Sequence, residues 1–229
     1  FFLNQTINFD IFIGLNFSGR LNFILTILWI IVLMNSLNFI DNMDGFAAIN
    51  SSFICLALTI LSFVYNQNYL ADISFILLLT LLGFTVYNFP PAKLYMGDSG
   101  SLFIGFIFGF ISILFDWNPS GESYLYSSIA PIFLFFTIPL LDFSTVFVYR
   151  IKNNISPAVG GTDHISHRLL NQGNSVKKVL LLISYLNIYI FILLGLTIIS
   201  YSLSVFVFIV YLGTIITLFL KFQKMEPLN

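Results

Sequence analysis

Seven stretches of this 229-residue chain are apolar enough, and long or nearly long enough, to cross a bilayer: near 21–40, 46–64, 72–89, 100–115, 128–149, 177–199 and 203–220. A hydrocarbon core of roughly 30 Å takes about 20 residues as helix. With no water to satisfy the backbone there, only helices or closed barrels can span. Barrel strands alternate polar and apolar residues, whereas the run from Ile73 to Leu82 is apolar almost throughout. The expected fold is therefore all-α, a polytopic transmembrane helical bundle forming one domain over 1–229. Only 8% of residues are charged and 58% are apolar, against about 25% charged in a soluble domain. Too few charges exist to cover a soluble globule. A net charge of −1 gives no electrostatic basis for binding nucleic acid, and the single Cys55 excludes an internal disulfide.

Basic residues set the orientation. Lys93, Arg150, Lys152, Arg168, Lys177, Lys178, Lys221 and Lys224, 8 of the 9, fall on one side, and only Arg20 dissents. The positive-inside rule makes that side the cytoplasm. The longest loop, 150–176, and the tail after the last span are then cytoplasmic. The polar-apolar alternation over the first 19 residues reads as a short interfacial hairpin. Residue 1 is Phe and no signal-peptide pattern follows, so the sequence reads as starting mid-protein.

Three polar clusters share the cytoplasmic face. Asn38, Asp41 and Asp44 recur every third residue where the first span ends, followed by Gly45. Carboxylates so close, with no Lys or Arg beside them, call for a cation, a proton or a hydrogen-bonding ligand. The bland alternative is an ordinary polar helix end. The second cluster runs from Asn88 to Ser101 and holds Lys93, Tyr95 and Asp98, with Gly97 and Gly100 flanking Asp98. Helix N-termini favour anions, so a carboxylate there suits a divalent cation bridging to phosphate. A plain N-capping Asp is the alternative. The third is a loop with both histidines, His164 and His167, next to Asp163 and Arg168. Imidazole and guanidinium suit a diphosphate. His-x-x-His is weak as a zinc site. Asp142, inside the fifth span, should face the bundle, because a charge in the bilayer costs about 2.5–3.5 kcal/mol.

Taken together the clusters resemble the polyprenyl-phosphate N-acetylhexosamine-1-phosphate transferases. The motifs are Asn-x-x-Asp-x-x-Asp-Gly at 38–45, Asn-x-x-Pro-Ala-Lys-x-x-Met-Gly-Asp-x-Gly-Ser at 88–101, and the histidine motif at 164–168. The resemblance implies transfer of a sugar-1-phosphate, GlcNAc-1-phosphate in the first instance, from a UDP-N-acetylhexosamine to undecaprenyl or another polyprenyl phosphate. UMP is released and cell-envelope glycan synthesis begins. It implies Mg²⁺, with Mn²⁺ as a substitute, an active face on the cytoplasmic side of a bacterial inner membrane, and a homodimer. It assigns Asp98 to the metal and Asp41, Asp98 and His164 to catalysis. It assigns Asn38, Asp44, Gly45, Asn88, Tyr95, His167 and Arg168 to substrate. Ser166 replaces the middle histidine of the denser family cluster, which points toward N-acetylglucosamine donors and away from the muramoyl-pentapeptide branch. The family's adjacent Asp-Asp pair has no counterpart in this sequence. The resemblance therefore implies further spans upstream, and no activity for this stretch alone. Two other classes stay open at this point: a transporter or channel using Asp142, and an inactive membrane scaffold.

Overall fold

The computed structural model describes residues 19–117, 132–157, 159–199 and 201–228. The expected N-terminal hairpin lies outside them. Among the described residues there are helices and no strands. They are α1 (Gly19–Ile40), α2 (Phe46–Val64), α3 (Asn68–Asn88), α4 (Gly97–Leu114), α5 (Thr137–Lys152), α6 (Ile165–Asn171), α7 (Val176–Ile199) and α8 (Tyr201–Lys224). Six of them (α1 to α4, α7 and α8) are long and apolar enough to cross a membrane.

The fifth expected span differs. Its backbone is helical over 132–135, turns at Phe136, and resumes as α5, only 16 residues long. Pro139 in the first turn of α5 has no N–H to give the carbonyl of Phe135, so a regular helix cannot run through unbroken. The part of that stretch before 132 lies outside the described residues.

The apolar residues divide by face. Leu33, Leu37, Phe46, Leu58, Phe108 and Phe136 are wholly enclosed, whereas Ile76, Val86, Phe206 and Ile209 are each more than 60% exposed. A soluble protein does not leave so many large apolar side chains outside. A bilayer accepts them, and the chain is a multi-pass membrane protein.

Helix α1 packs on α4 and α5; α2 pairs with α3, and α7 with α8. Gly105 and Gly109 of α4 make the α1 contact close. A Cβ on Gly105 would stand 2.6 Å from the Met34 Cα, and one on Gly109 3.2 Å from an Ile30 side-chain carbon. Small residues four apart are how membrane helices bring backbones together without a hydrophobic drive between them. Trp29 Nε1 adds a 2.8 Å hydrogen bond to Ser112 Oγ across the same pair. This packing fixes the end of α1 beside the start of α4, where the polar clusters lie.

Candidate functional site at one end of the bundle

The loops after α1 and α3 are stitched together. Gly45 adopts φ 77°, a left-handed conformation that glycine accepts without penalty. Its N–H donates to Asn88 Oδ1 at 3.0 Å. Asn88 Nδ2 donates in turn to the Leu94 carbonyl at 2.8 Å. The Ala92 N–H donates to Asp44 Oδ2 at 2.9 Å. Asn88 is buried, with both ends of its amide engaged by backbone, while Tyr95 stands 72% exposed. Asn88, Asp44 and Gly45 thus build the loop platform, and Tyr95 projects from it.

Beside that platform the first two clusters meet. Asn38 Nδ2 donates to Asp98 Oδ1 at 2.9 Å and to Ser101 Oγ at 3.1 Å. Asp98 does not cap α4: Met96 holds the N-cap position, with no side-chain cap. The Gly97 N–H lies close to the Asp41 carboxylate. Burial pushes the Asp41 carboxyl up to about 6; the Gly97 N–H opposes the rise and the nearby Asp98 charge adds to it. No ion pair reaches Asp41, Asp44 or Asp98 among the described residues. The described residues hold no group of three His, Cys, Asp or Glu placed for a metal. Mg²⁺ commonly takes only one or two carboxylates and completes its shell with water and substrate phosphate. The hard oxygen donors of Asp98 and Asp41 fit such a cation, and Asn38 holds one Asp98 oxygen in place.

The histidine loop closes the same end. Arg150 grips Asp163 with two bonds of 2.7 Å, from Nε and one terminal nitrogen, and its other terminal nitrogen donates to the Pro157 carbonyl at 2.8 Å. Burial alone would raise the Asp163 carboxyl, but the hydrogen bonds and charge of Arg150 outweigh it and hold it below the usual range. His164 Nδ1 lies 2.8 Å from Asp142 Oδ2, and the Ile165 N–H donates to Asp142 Oδ1 at 2.6 Å. The His164 ring meets Phe39 edge-on at 5.3 Å. Ser166 Oγ donates to Asn42 Oδ1, which ties the loop to the first cluster. His167 stands 6.1 Å from His164, ring to ring, and its Nδ1 is buried without a partner. Burial, then the neighbouring His164, lower its pKa.

Arg168 does not face this assembly in the expected way. It is wholly buried. Its Nε donates to the Asp163 carbonyl at 2.7 Å, and one terminal nitrogen reaches the Phe222 carbonyl at 3.0 Å and that of Met225. Its plane lies 4.6 Å over the Tyr149 ring. The guanidinium therefore docks the end of α8 against the loop. Its other terminal nitrogen is buried without a hydrogen-bond partner. A sequence shows a basic residue beside a histidine motif; it does not show that carbonyls 54 and more residues away take up one of its nitrogens.

A groove of about 530 Å³ joins these parts, lined among others by Ile31, Asn38, Phe39, Phe147, Arg150 and His164. Its polar end is shared with the acid cluster through Asn38. Its other end is walled by apolar side chains of α1 and α5. The arrangement suits a ligand with a charged head and an apolar tail. The Asp142 partnership and the Arg150 clamp were not foreseen from sequence. The only hint was an Asp inside an apolar span, which demands a partner but does not name it.

Fold and site together define a polytopic helical membrane protein with a cluster of polar side chains at one end of its bundle. The chain belongs to glycosyl transferase family 4, whose model matches residues 1–116. It is 31% identical over 194 residues to a Bacillus subtilis protein named "Probable undecaprenyl-phosphate N-acetylglucosaminyl 1-phosphate transferase", covering 85% of this chain and 53% of that one. It is 31% identical over 175 residues to the decaprenyl-phosphate N-acetylglucosaminephosphotransferase of Mycolicibacterium smegmatis, covering 70% of this chain and 43% of that one. A phospho-N-acetylmuramoyl-pentapeptide-transferase of Chlamydia muridarum is 41% identical over a shorter 97 residues, 41% of this chain and 29% of that one. The chain thus spans about half the length, or less, of the curated relatives it matches.

Proposed function

We propose that these residues form the catalytic rim of an enzyme moving N-acetylhexosamine-1-phosphate from a UDP-sugar to undecaprenyl or a related polyprenyl phosphate. An acceptor phosphate oxygen attacks the sugar-linked phosphorus, the bond to the bridging oxygen breaks, and UMP leaves with that oxygen. GlcNAc-1-phosphate is the preferred group, because the two long matches carry that sugar in their names and Ser166 thins the histidine cluster. The rim faces the cytoplasm of a bacterial inner membrane, consistent with the basic residues gathered at that end.

The observation that carries this reading is Asn38. It holds Asp98 with one amide hydrogen bond and also lines the groove. A phosphate at the acids and a lipid tail along α1 and α5 can therefore belong to adjoining sites. Phosphoryl-group transfer depends on positioning and charge stabilisation more than on covalent help from the protein. Asp98, with Asp41 beside it, would hold Mg²⁺ or Mn²⁺, which supplies neutralisation of the diphosphate. Asn38 orients Asp98, His164 offers a ring nitrogen at the groove, and the exposed Tyr95 provides an aromatic face on which a base can stack.

The test is UMP release from UDP-GlcNAc by the full-length protein in membranes, with undecaprenyl phosphate present or withheld. Release should need both substrates and a divalent cation, and Asp98→Asn should abolish it. Wild-type turnover in that variant would overturn the assignment.

A further inference from the structure

We propose that Asp142 is a positioning residue of this site, holding His164 in the tautomer protonated on Nδ1 so that Nε2 is the ring nitrogen available to a ligand in the groove. The proposal rests on the transferase reading above.

Asp142 lies within α5, fully enclosed. A lone charge there would be costly. The loop after α5 folds back so that two groups meet its carboxylate, one on each oxygen: the Ile165 N–H at 2.6 Å and His164 Nδ1 at 2.8 Å. A carboxylate only accepts hydrogen bonds. The Ile165 N–H can only donate, so it fixes one oxygen. The other oxygen then requires a proton on Nδ1. His164 itself lines the groove, with its ring against Phe39. The same contact fixes ring orientation as well as tautomer, the service that a carboxylate behind a functional histidine commonly performs.

An amide cannot do this. In Asp142→Asn the single carbonyl oxygen stays with the Ile165 N–H, which has no alternative. The NH₂ group then faces Nδ1 and favours the opposite tautomer, with the proton on Nε2. The shape of the side chain is nearly kept while the hydrogen-bond direction at the groove is reversed.

The experiment uses full-length protein in nanodiscs. Rates with UDP-GlcNAc and undecaprenyl phosphate are measured for wild type, Asp142→Asn, His164→Gln and the double variant. Asp142→Asn should lower kcat about 10–100-fold and leave the donor KM nearly unchanged. The double variant should be no slower than His164→Gln alone, because Asp142 acts through that ring. Losses that multiply would overturn the proposal. In parallel, ¹⁵N-histidine spectra should show a ring protonated on Nδ1 in wild type that disappears in His164→Gln. If Asp142→Asn does not accumulate in the membrane, this pair of spectra decides alone; a His164 ring protonated only on Nε2 refutes the proposal. Absence of UMP release by wild type would instead refute the transferase reading and leave the spectra to judge Asp142.

Discussion

Asn38, at the end of α1, donates a 2.9 Å hydrogen bond to the Asp98 carboxylate in the first turn of α4, sixty residues further along the chain. That bond joins two polar loops into one site and leaves the second Asp98 oxygen for a ligand. Asn38→Ala should free the Asp98 side chain. Activity is expected to fall roughly 10–100-fold, as for other partners that orient a metal-binding carboxylate. The Mg²⁺ concentration giving half-maximal rate should rise. An unchanged Mg²⁺ dependence would separate Asn38 from Asp98.

The closeness of α1 and α4 depends on Gly105, where an added Cβ would come within 2.6 Å of the Met34 backbone. Gly105→Val should push the helices apart, costing about 1–3 kcal/mol for overpacking. It should also displace Asn38, about one turn further along α1, from Asp98. Thermal unfolding in detergent and UMP release should fall together. Full stability with full activity would show that the contact does not set the site.

Burial, with the like charge of Asp98 beside it, pushes the Asp41 carboxyl up to about 6. Removing the neighbour's charge in Asp98→Asn should lower the Asp41 pKa. The drop should be partial, because burial is the larger cause of the rise. The sign follows from the charge: without the Asp98 carboxylate, ionising Asp41 is less costly. A ¹³C-carboxyl titration of wild type and variant measures this directly, and no downward movement would contradict the proximity.

Arg150 and Asp163 form a buried bidentate pair. Asp163→Asn removes one partner and leaves the guanidinium uncompensated, a change worth about 3–5 kcal/mol. Because the folded state holds the Asp163 pKa below its ordinary value, the pair's contribution is present above the ordinary carboxylate range and is lost as pH falls through the lowered pKa. In wild type, the midpoint of thermal unfolding should drop on acidification in that range. In the variant this acid-dependent part should be smaller.

The apolar runs made the spanning helices readable, with α2 covering the residues expected of it. Asp98, Asn38 and Asp41 were readable as a cluster because so few charges occur elsewhere. Within the described part of the fifth expected span the backbone turns at Phe136, just ahead of Pro139, and an apolar run does not show where its backbone bonds break. The family resemblance implies a ligand contact for Arg168. Its partners are backbone carbonyls of Asp163, Phe222 and Met225, and carbonyls are present at every residue of any sequence. The Asp142–His164 contact was hidden for a related reason: a loop had to fold back onto a helix before the two could meet.

The central claim is that a divalent cation at Asp98 grips the diphosphate of a nucleotide sugar. Mn²⁺ in place of Mg²⁺ makes this visible by electron paramagnetic resonance on the full-length protein. With UDP-GlcNAc present, the bound Mn²⁺ should show ³¹P hyperfine coupling in wild type, and both bound ion and coupling should be lost in Asp98→Asn. Mn²⁺ that binds with the same ³¹P coupling in Asp98→Asn would contradict the account.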